Sequence, residues 1–299
     1  MITIFTSPKA FTGLNRVIQY NAIRSWLQLR PECEIILFGR DEGTAEAASE
    51  LGVKHVPDID CNEYGTPLVS SIFQKAQDMA RFQALCYVNA DIILLSDFLA
   101  SLKYINKKPF LVVGQRWDID LDEPLDFNNT RWEQQLLARI AEYGRLHSVS
   151  GIDYFIFSRG VYADMLPFAL GRTAWDNWLI YRARSLKIPV IDATKAITAV
   201  HQNHDYSHVA EGKTGAFKGP EAVRNQALLG RPENSFSPRH ANWVLTRKGA
   251  KRALTFKHIL YRLDAIPVLH PRLRFLGLPK RILFALSRTV RSIIGKPKV

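Results

Sequence analysis

The chain has 299 residues, 47% of them hydrophobic and 11% aromatic, a composition that fits a globular protein with a sizeable core and excludes an intrinsically disordered one. The net charge of +12 is unevenly distributed, because residues 247–299 contain 14 Lys and Arg against one acid, Asp264. That segment carries +13, and the remaining 26 basic and 27 acidic residues give −1. A neutral body with a basic tail predicts an anionic partner for the tail alone.

Targeting and redox signals are weak. The three cysteines are scattered, without the pair spacing of a metal site, which is typical of a reduced, cytosolic chain. The N-terminal residues lack the basic and apolar regions of a signal peptide, and no run approaches the ~18 apolar residues of a spanning helix. We expect a cytoplasmic protein that is soluble or lies on the inner face of the plasma membrane.

Strands and helices alternate along the first half of the chain. The predicted strands are apolar along their whole length, which is typical of a mostly parallel, twisted α/β sheet with helices on both faces, of the Rossmann-like kind. The predicted strands cover 1–6, 34–41, 53–59 and 84–95, and the predicted helices cover 15–29, 44–52 and 67–82.

The second half has a different character. The patterns predict further strands, then a loop region that contains Gly and His, and finally the basic tail. The strands are predicted over 110–121, 148–160 and 188–193, the helices over 130–144 and 174–186, and the loop over 201–220.

An acidic residue interrupts the apolar run YVNADIILL, residues 87–95. Open α/β sheets bind ligands at the carboxyl ends of their strands, and Asp91 lies at such an end, as do Thr6 and Asp41. The chain has neither G-x-G-x-x-G after its first strand nor a P-loop, so dinucleotide-binding and P-loop readings are unsupported. Without a glycine cradle, a diphosphate needs a divalent cation held by a carboxylate, a role that suits Asp91.

The segment RFQALCYVNADIILL, residues 81–95, resembles the Asp-x-Asp segment of GT-A-fold, nucleotide-sugar-dependent glycosyltransferases of the bacterial family-2 type. The resemblance implies that Asp91 binds Mn²⁺ or Mg²⁺ on the sugar nucleotide. Asn89 replaces the first Asp of the motif and would hydrogen-bond the ribose or a metal-bound water. The structural alternative is that Asp91 only caps the turn after a strand.

The same resemblance implies three further donor contacts. Thr6 and Asp41 would hold the nucleotide base, and Arg81 would lie near the diphosphate or the base. The structural alternatives are that Asp41 caps the helix over 44–52 and that Arg81 is a solvated cation at a helix end.

Two more carboxylates are candidates for the chemistry. The resemblance places Asp153 in the pocket for the donor sugar and acceptor; an ion pair with Arg159 is the alternative. Asp176 follows Thr173 at T-x-x-D spacing, which predicts either a capping box or a general base for the acceptor hydroxyl. The resemblance to inverting enzymes favours Asp176 as the base, with Asp153 second.

Aromatic and imidazole side chains complete the candidate site. Trp175 and Trp178 flank Asp176 and would stack on acceptor sugar rings, although one of them packs in the core. The family supplies a histidine metal ligand from the loop after 188–193, which favours His201, with His204 as the alternative. A zinc hydrolase is the rival, but H-E-x-x-H and a nearby thiolate are both missing.

The tail contains the most regular pattern. In KRILFALSRTVRSII, residues 280–294, the aliphatic side chains Ile282, Leu283, Leu286, Val290, Ile293 and Ile294 fall within an arc of about 120° and the cations on the opposite arc, and only Phe284 breaks the pattern. Such a helix suits the surface of an anionic membrane. The alternatives are a helix packed on its own domain, and a nucleic-acid contact, for which the interleaved aromatic residues are missing.

These patterns together predict a glycosyltransferase of the hexosyltransferase type. A GT-A domain over 1–220 would contain a nucleotide-sugar half, 1–105, and an acceptor and catalytic half, 106–220, followed by a basic helical extension, 221–299. The expected partners are a nucleotide diphosphate sugar, a cell-envelope or lipid-linked glycan acceptor and an anionic membrane, with no nucleic acid. The rivals are a sugar-nucleotide nucleotidyltransferase, whose basic Gly-rich loop the chain lacks, and a non-catalytic carbohydrate- or membrane-binding protein.

Overall fold

The structure, a computed structural model, describes residues 1–204, 212–246 and 248–273. The chain divides into two compact units, Met1–Ala253 and Leu254–Val299. The first unit extends past residue 220, and the functional division proposed from the sequence stays a prediction. The tail segment 280–294 lies outside the described residues.

Thirteen strands and nine α-helices are present in the described ranges. The strands are β1 (Thr3–Thr6), β2 (Glu34–Phe38), β3 (Lys54–Val56), β4 (Ala84–Val88), β5 (Ile92–Leu94), β6 (Leu111–Val113), β7 (Trp117–Ile119), β8 (Arg145–Leu146), β9 (Tyr154–Ser158), β10 (Val190–Asp192), β11 (Ala199–Gln202), β12 (Trp243–Thr246) and β13 (Gly249–Arg252). The helices are α1 (Gly13–Leu27), α2 (Thr44–Leu51), α3 (Val69–Met79), α4 (Asp97–Leu102), α5 (Trp132–Tyr143), α6 (Trp175–Ser185), α7 (Gly212–Lys218), α8 (Pro220–Leu229) and α9 (Phe256–Leu269).

A nine-stranded sheet forms the centre of the first unit, with strand order β13-β12-β10-β6-β9-β4-β1-β2-β3. Two of its strands, β9 and β13, run opposite to the others, which are mutually parallel. The prediction of a mostly parallel α/β sheet is therefore confirmed. Its central strands β4 and β6 are apolar throughout because both faces of the sheet are covered.

Neighbouring residues of β1 show how the two faces are covered. Ile4 packs in a buried cluster with residues of α1, α2 and α4, among them Trp26 of α1. Phe5 points to the opposite face, where its ring lies 5.2 Å from that of Phe73 in α3. On that face Tyr87 also contacts Trp175 of α6 at 5.2 Å between ring centroids. Helices on both faces of the sheet are thus confirmed.

The predicted strand over 84–95 is wrong as a single strand. It divides into β4, in the large sheet, and β5, in a second sheet with strand order β5-β11-β7-β8. The predicted strand over 110–121 divides in the same way, at Gly114, where an added Cβ would collide with the hydroxyl of Tyr154. The polar interruption Asn89-Ala90-Asp91 is therefore the corner at which the chain passes between sheets, a connection that strand periodicity does not reveal.

The predicted loop over 201–220 also contains regular structure. His201 lies in β11, which pairs antiparallel with β5 and parallel with β7. Helix α7 follows within the same range, and α9 lies in the region that was expected to be a basic extension. Across the described residues, no helix is long and apolar enough to cross a membrane.

Candidate functional site

A cavity of about 670 Å³ opens at the carboxyl ends of β1, β2 and β4. This is the edge at which open α/β sheets bind ligands. The cavity brings together most of the side chains that the sequence indicated. Those that line it are Asp41, Asn89, Asp91, Asp153, Trp175, Asp176, His201 and His204.

Asp91, His201 and His204 form a cluster of metal-ligand type. One ligand atom from each lies within 4.8 Å of the others. Oδ2 of Asp91 is 2.9 Å from Nε2 of His204 and 3.8 Å from Nε2 of His201. The other carboxylate oxygen, Oδ1, is buried and has no hydrogen-bond partner. An unpaired buried acceptor is costly, so this arrangement fits a bound cation.

The charges around Asp91 keep it ionised. Burial raises the pKa of its carboxyl, but His201, His204 and Lys9 outweigh that effect and hold the pKa well below its usual range. Burial lowers the pKa of His201, and the neighbouring carboxylates of Asp91 and Asp118 outweigh it, so that this pKa is raised. A charged carboxylate beside two imidazoles is a donor set that suits a first-row transition metal ion better than Mg²⁺, which prefers oxygen ligands.

A buried amide holds the Asp91 corner in place. The side chain of Gln202, at the end of β11, donates from Nε2 to the carbonyls of Asp91 (3.1 Å) and Ile18 (2.8 Å). Its Oε1 accepts from Nδ2 of Asn21 at 2.9 Å. Both amides are buried. Sequence reasoning missed them, although a glutamine directly after the apolar-flanked His201 was a signal.

The carboxylate of Asp118 lies behind the ring of His201, near a buried Nδ1 that makes no hydrogen bond among the described residues. Nδ1 of His201 lies 3.4 Å from Oδ1 of Asp118, on the side of the ring opposite to Asp91. Asp118 also accepts from Nε of Arg116 at 2.9 Å and lies 2.5 Å from Nδ1 of His147. A carboxylate that accepts from the second nitrogen of a metal-binding histidine fixes the ring and its tautomer, and Asp118 is the residue placed for that role. The sequence analysis did not single out Asp118, whose only signal was its position in the strand WDI.

Asp153 is a paired carboxylate. Its Oδ1 accepts from Nδ2 of Asn89 and from a terminal guanidinium nitrogen of Arg116, each at 2.7 Å. The backbone N–H of Asn89 also donates to the carbonyl of Asp153 at 2.9 Å. The ionic partner is Arg116 and not Arg159, whose guanidinium donates to the carbonyls of Ala80 and Phe82.

Asp176 lies in the first turn of α6, the position of an N-terminal helix carboxylate, and accepts a hydrogen bond from the backbone N–H of Asn177. The helix begins at Trp175, and its N-cap is Ala174, with φ at +86° and no side-chain cap. The predicted capping box with Thr173 is thus absent. Burial raises the pKa of Asp176 to about 7, and the charge of Asp153 adds to this effect. The carboxylate is consequently basic enough to accept a proton near neutral pH.

Three predicted side chains do not line the cavity. Thr6 is fully buried at the end of β1. Arg81 lies at the opposite edge of the sheet, because its backbone N–H donates to the carboxylate of Glu34, the first residue of β2. Trp178 packs on Phe168, with ring centroids 5.5 Å apart.

Trp175 lines the cavity but leaves little surface for a sugar. The residue is 5% exposed, and its ring lies against those of Tyr87 and Phe155. Its ring is therefore held mainly by the core, and at most one edge of it faces a ligand.

No family model and no curated protein sequence matches this chain. Solved structures do match. Glucosyl-3-phosphoglycerate synthase from Mycobacterium tuberculosis, in complex with Mg²⁺ and UDP, is 14% identical with a TM-score of 0.41, over 76% of this chain and 77% of that one. A mannosyltransferase from Pyrobaculum calidifontis, in complex with GDP-mannose and Mn²⁺, is 14% identical with a TM-score of 0.46, over 97% and 79%. TarS 1–349 from S. aureus, in complex with UDP-GlcNAc, is 14% identical with a TM-score of 0.44, over 70% and 61%.

Proposed function

We propose that this protein transfers a sugar from a nucleotide diphosphate sugar to a hydroxyl acceptor and depends on a divalent cation. The observation that carries the proposal is the cluster of Asp91, His201 and His204 at the carboxyl edge of the sheet. A buried, unpaired carboxylate oxygen at that cluster supports a cation there. The cavity also contains Asp176, a carboxylate with a pKa near neutral.

The residues that line the cavity indicate which part of it would bind the donor. Asp91, His201 and His204 would hold the cation, which when bound would neutralise the charge of the departing diphosphate. Asn89 is fixed by Asp153 beside the cluster, where its position supports a contact to the donor. Asp41 lines the cavity after β2 and remains our candidate for the nucleotide base.

The acceptor half centres on Asp176. In the proposed inverting reaction, its carboxylate takes the proton of the acceptor hydroxyl while that oxygen attacks the anomeric carbon and the bond to the diphosphate breaks. The raised pKa supports this role, because a base works best when its pKa lies near the working pH. Asp153 is less suited, since Arg116 and Asn89 already use one of its oxygens.

The acceptor class is inferred from charge. The neutral body and the +13 of residues 247–299 support a substrate at an anionic surface. We propose a cell-envelope or lipid-linked glycan acceptor, with the tail over 280–294 on the inner face of the plasma membrane.

Calorimetric titration of UDP and GDP, with and without Mn²⁺, tests the donor site. We expect Mn²⁺ to tighten nucleotide diphosphate binding to the wild type, and Asp91→Asn and His204→Ala to lose that effect. His270→Ala, an exposed histidine outside the cavity, is the matched control and should bind like the wild type. Binding of neither nucleotide in either condition would contradict the proposal.

A sugar-transfer assay distinguishes an enzyme from a binding protein. With a donor that binds, Asp176→Asn should keep metal-dependent nucleotide affinity but lose sugar transfer. If the wild type instead binds the donor but transfers its sugar to no hydroxyl acceptor, water included, that result would support a non-catalytic carbohydrate-binding protein.

A further inference from the structure

Helix α9 exposes an apolar stripe to solvent. Phe256 is 75% exposed, Ile259 41%, Leu260 44% and Leu263 56%. Their i, i+3, i+4 and i+7 spacing places them on one face of the helix. We call these four residues the α9 stripe. A contiguous apolar surface of this kind marks a contact with another molecule or with a membrane.

The helix that presents the stripe is well formed at its start. Oγ1 of Thr255 accepts from the backbone N–H of His258 at 3.4 Å and lies 2.6 Å from its Nδ1, which caps the first turn. The 14 residues of α9 span about 21 Å. On the side of the helix opposite Phe256, Ala265 is buried, so the apolar stripe is the exposed face of α9.

Charge identifies the occupant of the stripe. Residues 254–299, the unit that contains α9, have ten Lys and Arg against Asp264 alone. That unit carries +9, and a second copy of the chain would bring +9 against +9, which disfavours self-association through it. A nucleic acid would match the charge but not the aliphatic side chains. An anionic bilayer matches both, because an amphipathic helix lies in its interface with the apolar face buried and cations at the headgroups.

We propose that the α9 stripe inserts into the interface of an anionic lipid bilayer, with α9 lying in the membrane plane. This contact belongs to α9 itself and is separate from the tail over 280–294. It also requires no nucleotide sugar, so it stands or falls independently of the transferase activity.

Vesicle flotation of the full-length protein tests the proposal. The wild type should float with phosphatidylglycerol-containing vesicles and not with pure phosphatidylcholine. Phe256→Ser/Leu263→Ser should weaken that binding at least ~10-fold, since two apolar side chains no longer leave water. Leu137→Ser/Val223→Ser, at exposed apolar positions of α5 and α8, is the matched control and should bind like the wild type.

A probe on the stripe gives a direct readout of insertion. Leu263→Cys, labelled with an environment-sensitive fluorophore in a Cys33→Ser/Cys61→Ser background, should shift to the blue only with anionic vesicles. The proposal would be overturned if Phe256→Ser/Leu263→Ser bound anionic vesicles as tightly as the wild type. It would also be overturned if the label at residue 263 stayed in water on the vesicle, even if the tail binds lipid. If, without lipid, the wild type sedimented faster than Phe256→Ser/Leu263→Ser, the proposal would be overturned in favour of self-association through the stripe.

Discussion

Replacing Asp176 by asparagine should inactivate the protein and stabilise it at the same time. Burial raises the pKa of Asp176 to about 7 from the usual 3.8. The folded state therefore holds a proton that the unfolded chain has released between these two values, and stability falls as pH rises through that window. Asparagine is isosteric and carries no charge, so the variant escapes this loss.

The size of the effect follows from the two pKa values. Each pKa unit is ~1.4 kcal/mol, so the ionised side chain costs the folded state at most about 4 kcal/mol above pH 7. About 1 kcal/mol of that cost is already present at pH 4.5, which leaves a difference of at most about 3 kcal/mol between pH 4.5 and pH 8.5. For a unit of this size, that corresponds to a rise in Tm of up to about 6–12 °C.

Thermal or urea unfolding at the two pH values measures this difference. The gain of Asp176→Asn over the wild type should be small at pH 4.5 and large at pH 8.5, whereas Asp122→Asn, at an exposed position, should show no such trend. In the transfer assay, Asp176→Asn should lower kcat by about 10²- to 10⁴-fold. An equal stability gain at both pH values would refute the reasoning from burial, and an unchanged kcat would refute the role as base.

Three further substitutions test how the site is supported. Asp118→Asn should weaken Mn²⁺ binding by about 10- to 100-fold in calorimetry, because the ring of His201 loses its carboxylate; Asp122→Asn, at an exposed position after β7, should not. Gln202→Leu should lower the free energy of unfolding in urea by about 1–3 kcal/mol or more, since its buried polar partners lose their hydrogen bonds; a neutral result would contradict the role of the amide. Gly114→Ala should cost about 1–3 kcal/mol in the same assay, because a Cβ there meets the hydroxyl of Tyr154; wild-type stability would contradict the crowding.

The sheet could be predicted from the sequence because its strands carry a strong local signal. Runs such as TIFT and EIILF are apolar on both faces, and the helices between them have regular spacing. Gly52, with φ at +66°, follows the last residue of α2, and a glycine at this position is also a local sequence signal, in this case for the end of a helix. Asp41 then followed from the strand order, and Asp91 from the strand order together with the resemblance of its motif.

The sequence alone did not reveal at which edge of the sheet a residue lies or how deeply its side chain is buried. Arg81 precedes a strand and therefore lies at the amino edge, yet a motif read as one segment placed it with Asp91. Trp178 and Trp175 are three residues apart on α6, and only the tertiary packing decides that one contacts Phe168 and the other reaches the cavity. Asp118 and Gln202 act through other residues, so their roles appear only when β7, β11 and β5 are seen side by side.

The corner at Asn89-Ala90-Asp91 explains why a carboxylate interrupts an apolar run. The chain leaves the large sheet after β4, and β5 joins the second sheet, where it pairs with β11 in the register Ile92 to His201. That pairing brings a histidine from more than 100 residues away next to Asp91, and it sets His204 two residues beyond the end of the strand. The candidate site requires the polar break because this break puts Asp91 beside His201, and the fold requires it because the chain passes from one sheet to the other there. A continuous strand through residues 84–95 would bury Asp91 within one sheet and remove the antiparallel partner of β11 that sets His201 beside Asp91.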